Sequence, residues 1–199
     1  MMKRRSMGWL AIAAIALIGS LLLGPGWRSV AADPGLILAQ TPEAPPALEA
    51  AQPALSGTYE DPQGQFQVGI LEGYTVSTTA GSPLFQLPDG SLAYSVVRVP
   101  LSSDAPLPDI ALVETARQAL GNGEGFQTQT FTPVPGGGLQ IAWSGRLSQG
   151  AAPPQPVSGT VLAKQQGAIA YLIVVAALES GAPQVPQVVS TLVDTLQIL

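Results

Sequence analysis

Cysteine and histidine are both absent from the 199 residues. Without thiols there can be no disulfide, no thiolate nucleophile and no attachment through a lipidated cysteine, so an exported form of the chain must rest on core burial alone. Without imidazole a serine nucleophile lacks its usual base, and any metal site would have to be built from oxygen ligands, which suit calcium or magnesium. No acidic cluster has the spacing of a calcium loop, and no glycine-serine-glycine elbow occurs. Charge is also sparse, at 11% of residues, and uneven, with 8 basic against 13 acidic side chains. The sequence therefore predicts no catalytic residue, no metal ligand and no cofactor-binding residue.

What the chain does have begins at its start. Lys3-Arg4-Arg5 precede an uncharged run from Met7 to Leu23, a basic beginning and a short apolar core that match an export signal. The run is near the lower limit of about 17 to 25 residues for crossing a bilayer, so residues 1–32 are expected to be a cleaved signal peptide or, failing that, a retained N-terminal membrane anchor. Small residues at Val30-Ala31-Ala32 fit the cleavage pattern, and Ile37-Leu38-Ala39 offers a later one. Removing residues 1–32 leaves four basic residues, Arg98, Arg117, Arg146 and Lys164, against all thirteen acids, a formal charge of −9. Four scattered cations cannot neutralise a run of phosphates, so nucleic acid is excluded as a partner, and membrane contact is expected only through an uncleaved N-terminus.

From Asp33 to Gly57 the composition changes to prolines interspersed with Ala, Glu and Gln, without an aromatic residue. Such a stretch buries too little to fold and reads as a disordered linker over 33–57, extending by about 3.1 Å per residue where it is polyproline-like. Residues 58–199 are the right size for one domain. Alternation predicts strands at Phe66 to Ile70, Tyr74 to Thr79, Leu92 to Val99, Phe126 to Thr132, Leu139 to Arg146 and Val157 to Lys164. Ala168 to Leu178 is apolar on both sides and needs cover on both faces. Two helices are expected to supply it. Asp109 to Leu120 has Ile110, Val113 and Leu120 on one stripe, Asp109 as N-cap and Gly121 as the stop, and Pro186 to Leu196 is the second. The fold class is therefore α+β, an α/β/α sandwich with a mainly antiparallel central sheet and a helix packed on each face.

Each local motif has a structural explanation. Gly121-Asn122-Gly123-Glu124-Gly125 closes a helix where a phosphate-cradling loop would open one, and Gly136-Gly137-Gly138 reads as a hairpin tip. Glu60 with Asp61, or Asp104 with Asp109, are the sequence-local carboxylate pairs that acid-base chemistry would need. Asp61-Pro62-Gln63-Gly64 has the order of a type I turn, however, and Asp109 that of a cap. Trp143 falls on the strand face of Leu139 and Ile141 and is expected in the core, and Arg98 is expected to extend from its strand end into water.

Tyr59-Glu60-Asp61-Pro62-Gln63-Gly64-Gln65-Phe66-Gln67-Val68, followed by Gly73-Tyr74, resembles the start of PsbP-like proteins, the extrinsic family associated with photosystem II. There too a tyrosine, an acidic turn, a glycine and a phenylalanine lead into a strand that ends near a glycine and an aromatic. The order of elements over residues 58–199 is also similar. The resemblance implies an α/β/α sandwich and export to a thylakoid lumen or periplasm. The cysteine through which bacterial members are lipid-anchored, and the metal-binding histidines of some members, have no counterpart here, so no ligand residue carries over. Together these readings lead to an exported, non-enzymatic protein-binding domain, a PsbP-like accessory or assembly factor of a membrane complex. A small-ligand binder or carboxylate-dependent enzyme with a pocket at the sheet rim is the alternative, and a general envelope module with another partner a third.

Overall fold

The computed structural model describes residues 52–79, 81–122, 125–148 and 153–199. The expected signal or anchor (1–32), most of the expected linker (33–51), and Gly123 and Glu124 lie outside them. No helix among the described residues is long and apolar enough to cross a membrane.

The described chain is an α+β fold of two antiparallel sheets and two helices. β1 (Leu55–Glu60), β2 (Phe66–Leu71) and β10 (Gln197–Ile198) form a small sheet in the order β1-β2-β10. β3 (Thr75–Thr79), β4 (Ser82–Gln86), β5 (Leu92–Pro100), β6 (Gln127–Pro133), β7 (Leu139–Leu147), β8 (Gln155–Gln166) and β9 (Ile169–Ala177) form a large one, ordered β3-β4-β5-β9-β8-β7-β6. Every pairing in both sheets is antiparallel. α1 (Asp109–Leu120) links β5 to β6, and α2 (Val185–Thr195) follows β9 after a short 3-10 turn.

The alternation of β9 positions both helices. Tyr171, Ile173 and Val175 join a buried cluster with Val185, Val188, Val189 and Leu192 of α2. Ala170, Leu172 and Val174 join a second cluster with Leu112, Val113, Ala116 and Leu120 of α1. Consecutive strand residues point to opposite faces, so alternate residues of β9 divide between the two clusters. Each of these valine, leucine or isoleucine side chains contributes roughly 1.5–3 kcal/mol by leaving water.

The structure corrects several sequence readings. Leu55 to Gly57, taken with the linker, belong to β1, which pairs with β2 across Thr58↔Gly69 and Tyr59↔Val68. β2 leaves the main sheet and, with β1 and β10, makes a second one. β4 escaped the reading because Pro83 sits inside it. β5 pairs with β4 only from Leu84 onward, so the missing N–H of Pro83 falls where the strand has one neighbour. Pro156 is placed the same way, where β8 has run past β9. In α1, Ile110 is 66% exposed and the buried stripe runs through Leu112, Val113, Ala116 and Leu120, an arc that Ile110 falls outside. Asp109 is not the N-cap either. Pro108 is, its carbonyl accepting from Ala111 and Leu112 N–H at 2.9 and 3.1 Å, and it has no side chain to offer. Asp109, already in the first turn, still sets its charge favourably against the helix dipole.

Candidate functional site

The segment that carries the family resemblance is a seam between the two sheets. Asp61 opens a tight turn in which Gly64 N–H donates to its carbonyl at 2.7 Å, and Gly64 takes φ 67°, a conformation glycine adopts freely. The Asp61 carboxylate accepts from the backbone N–H of Gln63 and Gln65 at 3.2 and 3.3 Å. Arg98 then reaches it from the end of β5 at 3.6 Å and donates to Gln63 Oε1 at 2.8 Å and to Gln65 Oε1. Asp61 is thus committed to a turn and an ion pair, its side chain only 7% exposed. Arg98, expected in water, is three-quarters covered, because β2 and its turn fold back over the strand end.

Aromatic rings complete the seam. Tyr59 meets Phe85 edge-on at 5.6 Å, Phe66 meets Tyr171 at 6.2 Å, and Phe85 stacks on Tyr94 at 4.4 Å. Burial pushes the Tyr59 phenol up, and the Asp61 charge adds to this while Arg98 opposes it. Burial also raises Tyr171, with Arg98 lowering it and Asp61 raising it. The Tyr94 hydroxyl donates to Gly69 C=O at 2.7 Å and accepts from Leu71 N–H at 3.1 Å. β10 pairs with β2 only at Phe66 and Gln67, and this hydroxyl satisfies two backbone groups of β2 beyond the end of that ladder.

The other sequence candidates separate. Glu60, beside Asp61 in sequence, points outward and accepts from Gln67 Nε2 at 3.0 Å. Asp104 and Asp109 are both exposed. Glu114 is held by Arg117, whose hydrogen bonds, helped by one from Gln118, pull its carboxyl down to about 2. Asp89 accepts from Ser91 N–H and Oγ, which lower its carboxyl. Among the described residues no group of three acids is placed to hold a metal ion. Trp143 is core as expected, its indole N–H donating to Val175 C=O at 3.1 Å. Gly121 ends α1 with φ −67°, so a left-handed cap is not its role. It is there for space, since a Cβ would overlap the Arg117 carbonyl to which its N–H donates.

A cleft of about 240 Å³ lies one strand beyond the seam, between the β6–β7 hairpin and the C-terminal end of α2. Lys164 is one of its walls, and Arg98, Tyr171 and Lys164 oppose one another across β5, β9 and β8, a polar row at one end of one sheet face. Leu139, Leu162 and Ile173 supply apolar lining from the sheet, Val193, Asp194 and Leu196 line it from α2 and the residue after it, and Gly136 and Gly137 form the lip. Gly136, Gly137 and Gly138 all take positive φ, between 83° and 101°. Sequence reasoning saw the glycines and the lysine separately. Nothing local joins them to Asp194, because four distant segments make the cleft.

These features define an α+β domain in which Asp61, Arg98 and Tyr94 join two antiparallel sheets. No protein-family profile and no curated protein matches the sequence. Solved structures similar to it include a Bacteroides thetaiotaomicron protein, 9% identical over 73% of this chain with a TM-score of 0.49, of whose length the chain spans about half (49%). A cyanobacterial PsbP from Synechocystis is 12% identical with a TM-score of 0.45, covering 71% of this chain and 91% of that one. LpqN of Mycobacterium tuberculosis, described as involved in cell envelope biogenesis, is 12% identical with a TM-score of 0.41, over 67% and 82% of the two chains.

Proposed function

We propose that this chain is an exported, non-enzymatic protein-binding domain, a PsbP-like accessory or assembly factor of a membrane complex in a thylakoid lumen or periplasm. The observation that carries the reading is how the charged groups are used. Two of the four cations in the folded part, Arg98 and Arg117, are already paired with Asp61 and Glu114. Glu60, Glu72, Asp89, Asp104, Asp109, Glu179 and Asp194 remain exposed at the surface. The surface is therefore acidic and suited to a partner with a basic face, which long-range attraction would bring in. The export signature and the PsbP-like motif of residues 59–74 add compartment and family. The architecture we infer is a helix on each face of the large sheet, which the division of β9 between two clusters supports.

The test is affinity purification of the full chain from detergent-solubilised membranes of its host, at low and at high salt. Stoichiometric recovery with a defined membrane complex, lost as salt screens the acidic surface, is the expected result. Recovery only as a free monomer under both conditions would overturn the proposal.

A further inference from the structure

The cleft beside Lys164 brings two opposite charges together with apolar side chains. Lys164 and Asp194 both line it, yet among the described residues neither side chain forms an ion pair or a hydrogen bond. Leu162, Val193 and Leu196 add apolar lining beside these two charges. Asp194 also stands in the last turn of α2, where unsatisfied carbonyls give the helix end a partial negative charge. One wall therefore favours a carboxylate, the other an ammonium, and the floor a hydrocarbon. A simple anion would be drawn to Lys164 and repelled by Asp194, and a simple cation the reverse, so only a ligand with both charges satisfies both walls. The volume of about 240 Å³ is below the roughly 300 Å³ at which pockets for drug-sized ligands begin, and fits a molecule of few heavy atoms.

We propose that this cleft binds a free α-amino acid with an apolar side chain. Its carboxylate lies on the Lys164 ammonium, its ammonium on the Asp194 carboxylate and the end of α2, and its side chain on Leu162, Val193 and Leu196. The lip at Gly136 and Gly137 has no side chains to block entry, and Val134 N–H donating to Gly138 C=O at 3.0 Å holds the base of the hairpin.

Isothermal titration of the full-length chain in detergent with L-leucine tests this, with 4-methylpentanoate and 3-methylbutylamine as analogues that lack the ammonium and the carboxylate. Leucine is expected to bind saturably, and each analogue about tenfold or more weaker, since a charge-assisted hydrogen bond is lost. Lys164→Gln and Asp194→Asn should each weaken leucine by a similar factor with an unchanged circular dichroism spectrum, whereas Arg146→Gln, on the exposed surface, should leave it unaltered. No saturation up to roughly 10 mM leucine, analogues that bind as well as leucine, or Lys164 and Asp194 variants that bind like the parent would each overturn the proposal.

Discussion

Replacing Tyr94 by phenylalanine removes one oxygen atom and tests how the small sheet is held to the large one. Tyr94 is 1% exposed, and its hydroxyl is the partner of two backbone groups of β2, Gly69 C=O at 2.7 Å and Leu71 N–H at 3.1 Å. Phenylalanine keeps the stacking on Phe85 and leaves both groups buried without a partner. A buried, unsatisfied backbone group costs about 1–3 kcal/mol, so the pair predicts a loss of about 2–6 kcal/mol, less if water enters. That is a large share of a typical stability of about 5–15 kcal/mol. For a domain of this size it corresponds to a melting temperature lower by roughly 5–15 °C. Tyr74 is the internal control. Its ring lies 5.3 Å from that of Tyr94, but its buried hydroxyl has no hydrogen-bond partner among the described residues. Tyr74→Phe should therefore be neutral or stabilising. Urea and thermal unfolding of both variants, followed by circular dichroism, decide the matter. A Tyr94→Phe loss below about 1 kcal/mol, or an equal loss in Tyr74→Phe, would refute the reasoning.

Burial, helped by the charge of Asp89, pushes the Tyr74 phenol up to about 12, so its neutral form is favoured in the folded state. Its contribution is complete below the unfolded value near 10 and is lost as pH rises from about 10 to about 12, so Tyr74→Phe should flatten part of the alkaline fall in stability measured by urea unfolding. Gly159 faces Trp143 across β7 and β8, and a Cβ there would overlap the Val175 carbonyl that accepts the Trp143 indole N–H. Gly159→Ala should cost more than about 3 kcal/mol or abolish folding, read by soluble yield and thermal melts. On α1, Leu112→Ala should cost about 2–5 kcal/mol and Ile110→Ala less than about 0.5 kcal/mol in urea unfolding. Glu114→Gln breaks an exposed pair with Arg117 and should leave the melting temperature within about 2 °C of the parent.

The parts of the fold legible in the sequence are those where one local pattern decides the outcome. β9 is apolar on both faces, and α1 runs from Asp109 to Leu120 as the pattern and the stop at Gly121 predict, although its cap is Pro108 and not Asp109. β4 was missed because Pro83 argues against a strand unless the neighbouring register is known. β10 is two residues long, and β1 has one half-buried side chain, Tyr59. Both are strands because β2 lies beside them, and pairing of that kind leaves no periodicity to read. The Ile110 stripe failed for a related reason. With Ile110, Leu112 and Val113 all apolar, the helix alone does not say which arc faces the sheet. Arg98 and Lys164 stand in one row only once β5, β9 and β8 are aligned, so the sequence displayed them as two stray cations.

The segment that resembles the PsbP-like family is also one in which most of the singled-out residues have structural work to do. Tyr59 and Phe66 join the rings between the sheets, Asp61 holds the turn and Arg98, and Gly64 and Gly73 take φ 67° and 84° where a side chain would strain the backbone. Residues used in this way preserve a fold whatever the fold is employed for. The motif is accordingly evidence about architecture, and the chemistry that distinguishes this chain has to lie outside it. Lys164 and Asp194 meet that condition, because nothing described in the fold holds either of them in place. Exchanging Asp61 for asparagine should therefore lower stability while leaving leucine titration of the folded protein unchanged, and Lys164→Gln should do the opposite. If both substitutions affected both measurements, the seam and the cleft would be one coupled unit and the separation drawn between fold and site would fail.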